Sequence, residues 1–167
     1  MKIIQTISAG LLRALGIAAL IFLLDQLVKY WVVEGLDLKN RLAINVWDPF
    51  LNLRMAWNDG INFGLLSGAD SDIMRIALIA LAMVISALVL WWGRNFSGIW
   101  GPLFIGLVVG GALGNTVDRI VYGAVADFLN MSCCGFKNPF AFNIADISIF
   151  AGAIGLALFS DRFERKS

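Results

Sequence analysis

The chain has 167 residues, 59% of them hydrophobic, and a mean hydropathy of +0.80. Its formal net charge is only +1, so nothing suggests a nucleic-acid partner. There is no histidine, which excludes a Ser-His-Asp triad, a Cys-His pair and an H-E-x-x-H zinc site, because each needs imidazole as base or ligand.

The apolar residues come in blocks rather than alternating, as in a membrane protein. Four segments approach the roughly 20 apolar residues needed to cross a bilayer. In chain order they are 11–33, 73–92, 99–117 and 142–160. The expected fold is an all-α polytopic membrane protein, one integral membrane domain over 1–167 with four transmembrane helices. The first segment is too long for a signal peptide and lacks a small-x-small cleavage site leading into a soluble domain. Trp31, Trp91, Trp92 and Trp100 lie near segment ends, as interfacial anchors do.

With four spans, Lys2, Arg13, Arg94, Arg162, Arg165 and Lys166 fall on one side, which is then cytoplasmic and holds both termini. The longer loops, 34–72 and 118–141, face outward. The first mixes apolar and polar residues at near-alternating spacing and ends in Asn58-Asp59-Gly60, a turn signal. It reads as a small sheet or hairpin on the membrane surface. The second reads as loop. It contains adjacent Cys133 and Cys134, which make no metal-ligand pattern and read as two loop thiols.

The polar residues of the spans cluster. Asn115, Asp118 and Arg119 share one helix face at the end of span three, where Gly110, Gly111 and Gly114 allow a second backbone close approach. Asn143 and Asp146 open span four, and Asp127 lies in the loop between. Because span three runs outward and span four inward, Asp118, Asp127 and Asp146 gather at one depth near the outer face. Asn58 and Gly60 can join them from the other loop. In span one, Asp25 and Lys29 are four residues apart and read as a buried ion pair, or as a second shell that positions a loop or substrate. Asp118 and Arg119 read as a structural pair at a helix end. Asp127 and Asp146 have no basic residue within helical reach, and an unpaired carboxylate near lipid points to function.

Two neighbouring aspartates cannot both ionise easily and share a proton. One can then take a proton from water while the other donates to a carbonyl oxygen, which is the logic of an aspartic peptidase without metal or cofactor. A transporter or proton relay would also place carboxylates in spans, although it would be expected to line a path across the membrane. A binding or assembly subunit is a further alternative, and a serine-lysine peptidase using Lys29 a weaker one.

Five stretches together narrow the choice: "DQLVK" from Asp25, "NDGINF" from Asn58, "GGALGNTVDR" from Gly110, "VADF" from Val125 and "FNIAD" from Phe142. In order and spacing, the sequence resembles the bacterial lipoprotein signal peptidases (signal peptidase II). The resemblance implies a four-helix aspartic endopeptidase of the bacterial inner membrane, with a small extracytoplasmic β-cradle in the first outer loop. Such enzymes cut prolipoproteins just before a diacylglyceryl-modified cysteine and need no cofactor. The implied partners are the lipid-modified substrate and the phospholipid bilayer, with the enzyme a monomer. The resemblance assigns catalysis to Asp127 and Asp146. It assigns support to Asp25, Lys29, Asn58, Gly60, Gly111, Asn115, Asp118, Arg119, Asn143 and Ala145. Ala126 and the link "NMSCCGFKNP" depart from the family's usual pattern.

Overall fold

The computed structural model describes residues 9–60, 71–94, 96 and 98–160. The first long helix, α1, runs over Ala9–Tyr30 and widens into a π-helical turn at Trp31–Gly35. A single helical turn, α2, follows at Leu38–Arg41. Strands β1 (Ala43–Trp47) and β2 (Leu51–Asn58) form a hairpin. Helices α3 (Ser71–Gly93) and α4 (Trp100–Val121) come next. Strand β3 (Val125–Asn130) precedes the last helix, α5 (Ile144–Phe159). Parts of the sequence reading lie outside the described residues: the end of "NDGINF" and the charges Lys2, Arg162, Arg165 and Lys166.

Among the described residues, three helices are long and apolar enough to cross a membrane; α5 is apolar but has 16 residues. At 1.5 Å per residue, 22 residues reach about 33 Å, the hydrocarbon thickness, whereas 16 reach about 24 Å. The segment expected to begin at Phe142 becomes helical only at Ile144, for a local reason. Phe142 exchanges backbone hydrogen bonds with Leu129, and Asn143 is spent as the helix cap.

Helix α4 is the central element. Its most apolar stretch is 61% buried inside the chain, against 6% for α3. It packs chiefly on α1 and α5, with α3 on a further side. Close approach requires glycine there. A Cβ on Gly110 would lie 2.6 Å from the Ala18 carbonyl oxygen, and one on Gly111 would lie 2.5 Å from that of Ala145. The outward faces remain apolar, with Leu23, Leu27, Leu81, Leu88, Phe150 and Leu158 exposed. A face of that kind is costly in water and costs nothing in lipid.

The loop between α4 and α5, expected to be irregular, holds a strand. β3 pairs antiparallel with β2 and makes a three-stranded sheet of order β1-β2-β3. Its register sets Ala56 opposite Asp127 and Asn58 opposite Val125. The strand is short and nearly all its residues are buried, so it lacks the polar–apolar alternation that marks a strand with one wet face. Under the sheet, Phe128 packs with Val32, Leu38 and Leu53, which fixes β3 to the end of α1.

Gly111→Ala should force α4 and α5 apart and cost about 1–3 kcal/mol, the usual range for overpacking. Gly16→Ala, with nothing within 4 Å of the added carbon, should leave stability level or slightly raised. Thermal unfolding of both variants in detergent checks the contrast; equal midpoints would refute the packing account.

Candidate active site

Helix α5 starts where its first residues can satisfy one another. The Asn143 side-chain oxygen accepts from the Asp146 backbone N–H at 2.9 Å, and the Asp146 carboxylate accepts from the Asn143 backbone N–H at 3.2 Å. This reciprocal capping box fixes both side chains at the helix mouth. The remaining half of the Asn143 amide, Nδ2, donates to Asp127 Oδ1 at 2.6 Å. One fully buried asparagine thus ties the β3 carboxylate to the α5 carboxylate.

Each carboxylate has further amide support. Asn58, at the end of β2, donates to Asp127 Oδ2 at 3.0 Å and accepts from the Gly60 N–H at 2.9 Å. Gly60 takes φ +98°, a conformation that suits glycine, and this lets the chain turn back onto Asn58. Asn115, on α4, donates to Asp146 Oδ1 at 2.8 Å. Asp127 is nearly fully buried, and its carboxyl is pushed up to about 6. Burial is the main cause and the Asp146 charge the second; the bonds from Asn58 and Asn143 pull it partly back.

A charged cluster lies behind these amides. Lys29 sits 2.8 Å from Asp25 and 2.7 Å from Asp118, and donates to Asn115 Oδ1 at 3.0 Å. The expected Asp25–Lys29 pair is therefore a three-member cluster. The expected Asp118–Arg119 pair does not form. Asp118 turns to Lys29 and to the Ala126 N–H, while Arg119 donates to the Asn115 carbonyl at 3.3 Å. Successive helix residues point in different directions, so adjacency in sequence does not make an ion pair. The Arg119 Nε is buried without a hydrogen-bond partner.

Gln26, the second residue of "DQLVK", is a member of the site that was not among the residues expected there. Its Nε2 lies within hydrogen-bond reach of Asp25 Oδ2 (3.2 Å), Asp118 Oδ1 (3.0 Å) and the Gly114 carbonyl (3.3 Å). Two buried carboxylates share one ammonium, and the glutamine supplies the neutral donor that remains necessary. Its place directly after Asp25 was the only signal, since Asp118 comes from another helix. Asp25 also accepts from the Ala145 N–H at 2.9 Å, which binds α1 to the first turn of α5. Gly111 lies beneath that turn, against the Ala145 carbonyl. All twelve site residues named from the sequence are thus drawn into one connected region. Among the described residues, no cluster of three or more His, Cys, Asp or Glu side chains could hold a metal ion.

The architecture is that of a helical membrane enzyme. It superposes on a bacterial membrane enzyme solved by the in meso method at 2.3 Å resolution, with a TM-score of 0.71, 28% identity and 92% of each chain covered. A second such structure, at 1.9 Å, gives a TM-score of 0.72 at 26% identity, covering 87% of this chain and 90% of that one. Residues 17–161 match the family described as Signal peptidase (SPase) II. A lipoprotein signal peptidase from Rhodopseudomonas palustris is 39% identical over 144 residues, 84% of this chain and 85% of the relative. One from Alteromonas mediterranea is 40% identical, covering 85% and 76% respectively. The chain belongs to the signal peptidase II family, and the expectation of a membrane peptidase holds.

Asp25→Ala should leave the Ala145 N–H without its acceptor while Lys29 keeps Asp118, costing about 1–3 kcal/mol. Unfolding in detergent measures it; unchanged stability with lost turnover would instead give Asp25 a role in the reaction.

Proposed function

We propose that this chain removes the signal peptide from diacylglyceryl-modified prolipoproteins, cutting before the lipid-modified cysteine, with Asp127 and Asp146 as the catalytic pair. The observation that carries the reading is the Asn143 side chain, whose amide engages Asp127 while its carbonyl caps the turn that presents Asp146. The hydrogen-bond donors to both carboxylates are neutral amides, while the Lys29 ammonium stands one asparagine away and the Arg119 guanidinium acts on both only through space. Neutral donors orient a carboxylate without pinning it in the ionised state as a close cation would. The pair is then able to hold one proton between them, a property of the pair rather than of either residue.

In the reaction, the ionised carboxylate takes a proton from water, and the water oxygen attacks the scissile carbonyl carbon. The protonated carboxylate donates to the carbonyl oxygen, giving a neutral tetrahedral diol. Collapse breaks the C–N bond as a carboxyl proton passes to the leaving nitrogen. Asn58, Asn115 and Asn143 hold the carboxylates. The buried Nε of Arg119 is a spare donor for a substrate backbone carbonyl. Asp25, Lys29 and Asp118 lock the helices that carry the site.

In this reading α5 completes a fourth crossing. Both termini are cytoplasmic, and the site lies near the outer face of the bacterial inner membrane, where a lipid-anchored cleavage site is found. The basic residues on one set of connections support that orientation. The whole site comes from one chain, which fits a monomer acting as a single membrane domain. The sheet, whose third strand carries Asp127, is the cradle against which an extended substrate would rest.

Purified protein should cleave a diacylglyceryl-modified prolipoprotein and leave its unmodified form intact. Asp127→Asn and Asp146→Asn should each lose at least about 10³-fold in turnover while still folding, a loss within the scale of general acid–base catalysis. Full activity in either variant would refute the pair. The protonated pair is lost as pH rises, so kcat/KM should fall through about pH 6 on the alkaline side. Asn58→Ala removes a bond that favours ionised Asp127, so this limb should move to higher pH; an unmoved limb would count against Asp127 as the titrating group.

A further inference from the structure

The link between β3 and α5 carries both cysteines of the chain, and the peptidase reading uses neither. Cys133, Cys134, Gly135 and Phe136 form a tight turn, closed by the Phe136 N–H donating to the Cys133 carbonyl at 2.8 Å. Its central residues both take positive φ, +57° at Cys134 and +84° at Gly135, as a type I′ turn requires. Both thiols are exposed. The two thiols are carried by adjacent residues of the turn, and each influences the other's surroundings. The turn is flanked by polar Ser132, Lys137 and Asn138 and by the exposed apolar side chains of Met131 and Phe136. The link itself is anchored. Asn130 Nδ2 donates to the Asn138 and Phe140 carbonyls, both at 2.8 Å, and the Asn138 N–H donates to Ser132 Oγ at 3.1 Å.

We propose that Cys133 and Cys134 form a thiol–disulfide exchange site, a vicinal dithiol that small-molecule disulfides oxidise to an intramolecular disulfide. The neighbouring Cys134 side chain pushes the Cys133 thiol up, and the exchange starts with Cys134 as the first nucleophile. Its thiolate attacks one sulfur of the small disulfide, forming a mixed disulfide and releasing one small thiolate. The Cys133 thiolate then attacks the Cys134 sulfur and expels the second. The two cysteine sulfurs are oxidised, the small disulfide is reduced to two thiols, and the cysteine protons pass to these through solvent.

Adjacent Cα atoms are about 3.8 Å apart, below the usual spacing of bridged cysteines, so the closed ring is strained. Strained, exposed disulfides are the labile ones. The bond is therefore a reversible modification and not a structural staple.

The test treats full-length protein in detergent with oxidised glutathione, alkylates any free thiol, and weighs the product. Wild type should become two hydrogens lighter, keep no glutathione and resist alkylation, and dithiothreitol should restore both thiols. Cys133→Ser and Cys134→Ser should each retain one glutathione. Stable glutathione on the wild type, a cross-linked dimer, or two thiols still alkylated after treatment would each overturn the proposal. The readout is independent of peptidase activity, so it does not stand or fall with the proposed reaction.

Discussion

The Asn143 side chain meets two demands at one buried point. A helix that begins inside a membrane protein exposes N–H groups with no partner, and leaving them unmet costs about 1–3 kcal/mol each. The Asn143 carbonyl oxygen meets one such N–H, and its amide group is then oriented toward β3, where it finds Asp127. The cap that starts α5 is thus also the joint between two carboxylates. β3 can reach that joint because β2 holds it in register and Phe128 pins it to the end of α1.

Charge is distributed to suit this joint. The cluster of Asp25, Lys29 and Asp118 is buried, and its value lies in specificity more than in net stability, since buried ion pairs repay their desolvation poorly. It fixes α1, α4 and α5 in one register, with Gln26 completing the bonds that a single ammonium cannot. Asn115 then links Lys29 to Asp146 through neutral atoms. The ammonium orients the amide, and the amide orients the carboxylate. The result is an ordered site whose acidic pair retains freedom to exchange a proton.

Much of this was legible from residue order. The helices could be read because lipid demands unbroken apolar runs, and the carboxylate cluster because polar residues at span ends are few. Strand β3 was not legible. Its partner lies far back in the chain, and residues buried on both faces carry no alternation. The third member of the Lys29 cluster was hidden for the same reason, since α1 and α4 meet only after folding. Asp118 and Arg119 misled because the partners that Asp118 takes, Lys29 on α1 and the Ala126 N–H of β3, are distant in sequence. The thiol turn needed backbone geometry, because only the positive φ of Cys134 and Gly135 shows that the two cysteines sit on a hairpin.

Catalysis by this pair requires Asp127 and Asp146 to behave as one titrating unit, and infrared difference spectroscopy of the carboxyl band tests this most directly. Wild type is expected to show a protonated carboxyl that titrates near pH 6. Asp127→Asn should abolish that band. Asp146→Asn should move it to lower pH, because the neighbouring negative charge that holds the proton on Asp127 is gone. A band that ignores Asp146→Asn would mean that the two carboxylates do not share a proton, and the proposed pair would be contradicted.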